Sequence, residues 1–423
     1  MRFLFVFLAG ALFTLFTGSM FLEFTNRNLL TNMYSSTVLG VSRLGAVRSN
    51  FALRNVSFGN DPFDSFKIVG YPDHPLSLGE LKMCDNKTQA RLPRGNEYIC
   101  PEDPTCKKCI NSGRRKKMTK VKKKLVSVFR SKRGQAKRAA RFQEKFSFLD
   151  ENGVRQKRQV VVVGINYGQI HFFLNWACSA RKVGLEPTDF VYVLPTDTKT
   201  TKILAKHGFA TEPLGWMKEA GVSIGEKFEG NNIGPHAIIN FVISLGAEAL
   251  VLEDYPTILM DVDMVWLKNP FEMLRSASAR RDVIASHAPR NDAFGFVNTG
   301  LVYFIPTNKT KILVSTFVNL SVAKQGSDQI TMNMLLRHYM FRHLALSIVP
   351  INVFHTNWNL KQLKKTLKRE DPYTVHMVSS SKSERYQSCN LWSLDKQCIY
   401  FDREILVGAS RSIDPLNLTL IDM

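Results

Sequence analysis

The chain has 423 residues, 44% of them apolar and 29 of them Phe, which is enough for a sizeable core and excludes a globally disordered polymer. Its formal net charge is +21, yet 14 of its Lys and Arg residues fall between positions 114 and 141, where no acidic residue occurs. The charge excess is therefore local, and a high pI says little about the rest of the molecule.

In chain order, residues 3–22 carry no charge and are long enough to cross a bilayer as a helix. Only Arg2 precedes them, which predicts a signal-anchor over residues 1–24 and places everything after it in a secretory lumen. The resulting expectation is a single-pass type II protein of the Golgi or ER membrane. Sequons at Asn55, Asn86, Asn308, Asn319 and Asn417 agree with a lumenal body. A lumen holds no nucleic acid, so the basic run is not read as a nucleic-acid site.

Residues 25–113 lack periodicity and predict a stem, with Cys84, Cys100, Cys106 and Cys109 available for disulfides. Residues 114–158 predict a basic linker, solvated or helical, that repels itself and stays extended. Two other readings stay open for it: contact with acidic glycans or a membrane surface, and proteolytic release of a soluble domain after Arg133 or Arg158. Cys389 and Cys398 suggest a short disulfide loop, with Cys178 left as a buried thiol.

From Gln159 to the end, strands alternate with helices. Continuous β-branched or apolar runs predict strands at 159–166, 190–194, 257–263, 282–286 and 299–305. Helical spacing predicts helices at 170–183, 199–207, 236–247, 309–323 and 328–340. Such alternation implies an α/β domain with a mainly parallel sheet and helices on both faces. Neither GxGxxG nor GxxxxGK[ST] occurs.

Asp261 and Asp263, in TILMDVDMVWLKNPF, form the only Asp-x-Asp of the chain. If the strand runs through them, they share a face; if it ends there, they lie at the carboxyl edge where open α/β sheets bind ligands. Two bare carboxylates this close oppose each other's ionisation, and a divalent cation removes that cost. Such a cation would also neutralise a diphosphate leaving group.

The block DVDMVWLKNPF resembles that of the nucleotide-diphospho-sugar transferase domain, glycosyltransferase family 77. VVVVGINYGQIHFFLNWACSARKVGL, FVNTGLVYFIPTNKT, SDQITMN and VHMVSSSKSERYQ resemble further blocks of that family in the same order. The resemblance implies a GT-A type, Rossmann-like catalytic domain over residues 159–423. It implies a nucleotide-sugar donor, usually UDP-linked, Mn2+ or Mg2+, retention of configuration, and a glycan or glycoprotein acceptor. It assigns Asp261, Asp263 and His376 to the metal, with His355 as the competing histidine. Asn166, Tyr167, Asp197, Asp261, Asn298 and Gly300 would bind the donor, and Asp328 and Gln329 would act on the reacting sugar. Asp328 also reads as a plain N-cap. The alternative function is a catalytically silent protein of the same fold that binds acidic glycans through its basic stem.

Overall fold

The computed structural model describes residues 74–75, 112–222, 235–288, 297–323, 328–338, 341, 343–357, 360–377 and 386–401. The predicted anchor, the stem cysteines and three sequons (Asn55, Asn86, Asn417) lie outside these residues. No helix among the described residues is long and apolar enough to cross a membrane.

A seven-stranded sheet organises the domain, in the order β10-β8-β9-β6-β3-β4-β5. Its strands are β3 (Val160–Ile165), β4 (Val191–Pro195), β5 (Ala210–Thr211), β6 (Thr257–Met260), β8 (Val283–His287), β9 (Val297–Phe304) and β10 (Leu346–Val349). β5, β4, β3 and β6 are mutually parallel, and β10 is parallel to β8. β9 runs antiparallel between β6 and β8. Side chains alternate along each strand, so the valine run of β3 feeds two cores. Val160 and Val162 enter one; Val161, Val163 and Ile165 enter the other. The first core holds α6 (Pro235–Leu252), α8 (Asn308–Ala323) and α9 (Asp328–Arg337). The second holds α3 (Ile170–Lys182) and the Trp176–Trp266 pair, 5.1 Å between ring centroids. Helix α6 lies so close to the sheet that a Cβ on Gly164 would meet Ile243 Cγ1 at 2.5 Å.

The basic segment takes the helical one of its two forms. Residues 114–146 lie in two helices, α1 (Ser112–Phe129) and α2 (Lys132–Phe146), which do not stand off as a tether but pack on the first core. Leu125, Phe129, Phe142 and Phe146 are buried, at spacings of four that form an apolar stripe in each helix. Three of the cations meet buried carboxylates. Arg130 Nη2 pairs with Glu248 at 2.6 Å, while Arg138 and Arg141 converge on Glu212. Lys122 turns inward and donates to the Ser321 carbonyl at 2.8 Å. A hairpin, β1 (Ser147–Leu149) with β2 (Arg155–Lys157), then leads into β3. The two expected cleavage sequences therefore lie in ordered structure: Arg133 in the first turn of α2, and Arg155–Lys157 within β2. Asn319 accepts a hydrogen bond from Arg130 at 2.9 Å and is half-buried, whereas Asn308 is exposed at the head of α8.

The disulfide also differs. Cys178 on α3 is bonded to Cys398, with their Cα atoms 5.9 Å apart across 220 residues of sequence, and Cys389 is a free cysteine. The reason is tertiary docking of residues 386–401 onto α3. The backbone N–H groups of Ser393 and Leu394 both donate to Asn175 Oδ1, at 2.5 and 3.1 Å, and the Tyr400 hydroxyl donates to Glu186 at 2.5 Å. That seating brings Cys398 over Cys178.

The predicted strand at 257–263 stops at Met260. The chain bends through residues 261–263 and enters β7 (Met264–Trp266), which belongs to a separate three-stranded sheet. Its other members are β11 (Phe354–Asn357) and β12 (Thr374–Met377), linked by α10 (Leu360–Arg369).

Candidate functional site

Strands β3, β4 and β6 are parallel, so their carboxyl ends share one edge. Asn166, Tyr167, Asp197 and Asp261 all follow those ends. Asp261 is held there by its own N–H, which donates to the Gly300 carbonyl at 3.0 Å. The bend after it turns Asp263 inward, and the Tyr386 hydroxyl donates to the Asp263 carbonyl from across the chain. β12 pairs antiparallel with β7 and sets His376 opposite Met264, one residue from Asp263.

These two carboxylates and the imidazole meet. His376 Nε2 lies 3.5 Å from Asp261 Oδ2 and 3.4 Å from Asp263 Oδ1. Asp263 and His376 are buried, and Asp261 is about one-third exposed, at 34%. The other face of the imidazole fixes its tautomer. His376 Nδ1 is 3.2 Å from Asn298 Oδ1. That oxygen also accepts from the Gly300 N–H at 2.8 Å, while Asn298 Nδ2 donates to Gln329 Oε1 at 3.2 Å. The amide is thereby oriented with its oxygen toward the ring, so Nδ1 carries the hydrogen. Nε2 then faces two carboxylates, an arrangement that a proton on Nε2 or a cation between the three groups makes favourable. Two hard carboxylate oxygens and an imidazole nitrogen fit a divalent ion, with Asn298 as the orienting partner of the histidine. His355 does not join: it pairs with Val375, the neighbour of His376, and so faces the other side of the small sheet. Burial lowers its pKa.

Gly300 is required by contact. A Cβ there would lie 2.3 Å from His376 Cε1 and Nδ1 and 2.7 Å from Asn298 Oδ1. The approach depends on a bulge in β9, where the register with β8 shifts between Ala285 and Ser286. The Ser286 hydroxyl closes that bulge on the carbonyls of Asn298 and Leu301.

Not every predicted site residue points at the centre. Asp197 caps α4 (Thr198–Lys206): its carboxylate accepts from Thr200 N–H at 2.8 Å and from Thr200 Oγ1 at 2.7 Å. It also accepts from the Tyr167 N–H at 2.8 Å. These bonds tie the first loop to α4 at the edge where Asp197 was expected to face a base or ribose. Asn166 and the Tyr167 ring are buried beside it, with Lys199 Nζ 3.6 Å from the ring centroid. The Asp328–Gln329 pair is divided. Gln329 joins the Asn298 network, whereas Asp328 lines a small crevice with Lys122, Asn240 and Thr331. Two residues escaped sequence reasoning. Asn333 clamps the start of β9 by exchanging hydrogen bonds with the Val297 backbone at 2.9 and 2.7 Å; its spacing of four from Gln329 on α9 was the available signal. Tyr386 sits in the late block beside His376, but no local pattern marked its reach to Asp263.

Residues 245–385 match the family described as nucleotide-diphospho-sugar transferase. The UDP-D-xylose:L-fucose alpha-1,3-D-xylosyltransferase MGP4 of Arabidopsis thaliana is 23% identical over 279 residues, covering 59% of this chain and 72% of that protein. Among solved structures, the glycosyltransferase GlyE of Streptococcus pneumoniae aligns at 14% identity and a TM-score of 0.36, over 60% of this chain and 65% of that one. The chain thus spans just under two thirds of that structure. Mouse xyloside xylosyltransferase 1 aligns at 9% identity and a TM-score of 0.33, over 52% of this chain and 96% of that one. The segment that matches the nucleotide-diphospho-sugar transferase family holds Asp261, Asp263, Asn298, Gly300, Gln329 and His376.

Proposed function

We propose that this chain is a metal-dependent glycosyltransferase that moves a sugar from a UDP-linked donor to a hydroxyl of a glycan or glycoprotein, with retention of configuration. The observation that carries the reading is the convergence of Asp261, Asp263 and Nε2 of His376 at the carboxyl edge of the sheet. These three would hold Mn2+ or Mg2+. When bound, the ion supplies charge neutralisation for a diphosphate leaving group.

The protein's own groups do the rest. Asn298 holds the Nδ1 side of the imidazole and so turns Nε2 toward the two carboxylates. Gly300 gives that ring its space and keeps the backbone close to the donor sugar. Gln329, tied to Asn298, is the polar side chain assigned to the sugar. Asp328 is assigned to the Lys122 crevice instead. Tyr167 and Asn166 line the edge where the nucleoside docks, held in place by Asp197. The UDP assignment is supported by the name of the Arabidopsis relative, whose donor is UDP-D-xylose. A Golgi or ER membrane setting, type II with a lumenal catalytic domain, is supported by the apolar run at 3–22 and by the Cys178–Cys398 disulfide.

The test is a screen of nucleotide sugars with the purified chain and Mn2+, monitoring release of nucleoside diphosphate. Asp263→Asn is expected to lower metal-dependent turnover by a factor of roughly 100 or more while leaving the melting temperature nearly unchanged. Failure to release nucleoside diphosphate from any donor, with or without glycan acceptors, would overturn the reading. So would full activity in Asp263→Asn.

A further inference from the structure

The α1–α2 pair uses only part of its charge. Both helices turn their apolar stripes onto the first core, so both present their opposite sides away from the sheet. Lys122, Arg130, Arg138 and Arg141 are committed to partners inside the fold. What remains outside is Lys120, Lys123 and Lys124 on α1 and Lys132, Arg133 and Lys137 on α2. All six are exposed, and none forms an ion pair with a described residue. Positions 120, 123 and 124 fall on one helical stripe, where like charges three and four apart oppose folding by a few tenths of a kcal/mol per pair.

We infer that this outward face is a docking surface for a linear anionic glycan bearing sulfate or uronate groups. Charge complementarity is the first argument: six unpartnered cations in one layer focus a positive field on solvent. The second is the absence of an inserting face. Leu125, Phe129, Phe142 and Phe146 all point into the core, whereas a helix that beds into a lipid surface keeps its apolar side outward. The exposed apolar residues nearest in sequence, Phe148 and Leu149, follow the end of α2, while Lys132, Arg133 and Lys137 sit in its first half. Purely electrostatic contact suits a hydrated polyanion. The choice of a glycan among polyanions rests on the glycosyltransferase reading above, and it gives that enzyme an acidic class of acceptor.

The experiment compares the full chain with a variant carrying Lys120→Gln, Lys123→Gln, Lys124→Gln, Lys132→Gln, Arg133→Gln and Lys137→Gln. The probes are a heparin oligosaccharide, a neutral dextran of equal length, phosphatidylserine vesicles and duplex RNA. The full chain should bind heparin, not dextran, with affinity that falls as salt rises. The variant should bind roughly 100-fold more weakly, taking a modest share per exposed cation. Its nucleoside diphosphate release with a small neutral acceptor should be unchanged. Equal heparin binding by the variant overturns the inference, as does tighter binding to vesicles or RNA than to heparin. Heparin binding without any donor turnover removes the transferase reading and leaves the surface; turnover without heparin binding does the reverse.

Discussion

Adding one methyl group at Gly300 tests the geometry of the centre directly. The Gly300 backbone is not in the left-handed region, so an alanine there meets no conformational penalty, only a contact. That contact is severe: the new Cβ would stand 2.3 Å from two atoms of the His376 ring. Ordinary carbon contacts begin near ~3.5 Å, so ring or strand must retreat by about 1 Å. The ring is buried and held at both ends, by Asn298 at 3.2 Å and by its approach to the carboxylates at 3.4 and 3.5 Å. A shift of that size cannot preserve both. Overpacking of this kind costs about 1–3 kcal/mol of stability. Loss of an oriented ligand should weaken metal binding by roughly 10- to 100-fold. Calorimetric titration of Mn2+ into Gly300→Ala, beside urea unfolding of the same protein, measures the two effects separately. Mn2+ affinity equal to that of the unmodified chain would refute the argument that Gly300 exists to seat His376.

Two stability measurements probe buried titrating groups. Lys122 has a pKa lowered to about 8, chiefly because burial disfavours its charge, while Asp328 partly restores it. The unfolded chain binds more protons between about pH 8 and pH 10.5, so stability should rise as pH climbs through that window, by up to roughly 3 kcal/mol. Lys122→Met should flatten this rise and stabilise the protein at pH 7 by about 1–2 kcal/mol, after loss of the bond to Ser321; urea midpoints across pH 7–10.5 read it, and an unchanged slope would count against it. His355 is held below its ordinary pKa of 6.5 by burial. The unfolded chain therefore binds more protons as pH falls below that value, and stability should drop through the same range. His355→Gln should lessen the loss of melting temperature between pH 7 and pH 5, and a loss equal to that of the unmodified chain would exclude His355 as its source.

How far the sequence foretold this arrangement depended on whether the signal was local. The valine run of β3 needs no distant partner to be recognised, because β-branched residues without polar alternation suit only a strand covered on both faces. The end of β6 was left open between two geometries, and the structure adopts the one that stops before Asp261. β7 was not separable from β6 by pattern, since its partner, β12, lies more than a hundred residues later. A longer separation, 220 residues, hid Cys178 from Cys398: spacing favoured Cys389, but the docking of residues 386–401 on α3 decided the pairing. Asp197 was read only as a donor-binding residue; that an Asp directly before a helix start also suits an N-cap went unread, and a cap is what its bond to Thr200 N–H makes it.

The basic run shows why counting charges misplaced a domain boundary. Fourteen cations in 28 residues suggested a chain that repels itself, yet helical periodicity puts Leu125 and Phe129, then Phe142 and Phe146, on the inner side of two helices. Those helices also supply the only cations within 4 Å of the Glu212 and Glu248 carboxylates among the described residues. Both carboxylates are nearly inaccessible, 5% and 2% exposed, with these helices in place. A domain begun at residue 159 would lose these ion pairs and bare the apolar surface that Leu125, Phe129, Phe142 and Phe146 cover. Stabilities of whole domains are only about 5–15 kcal/mol, so baring four such side chains' worth of core is a large loss on that scale. The folding unit that presents Asp261, Asp263 and His376 therefore includes α1 and α2, and the run that looked like a tether is one of its walls.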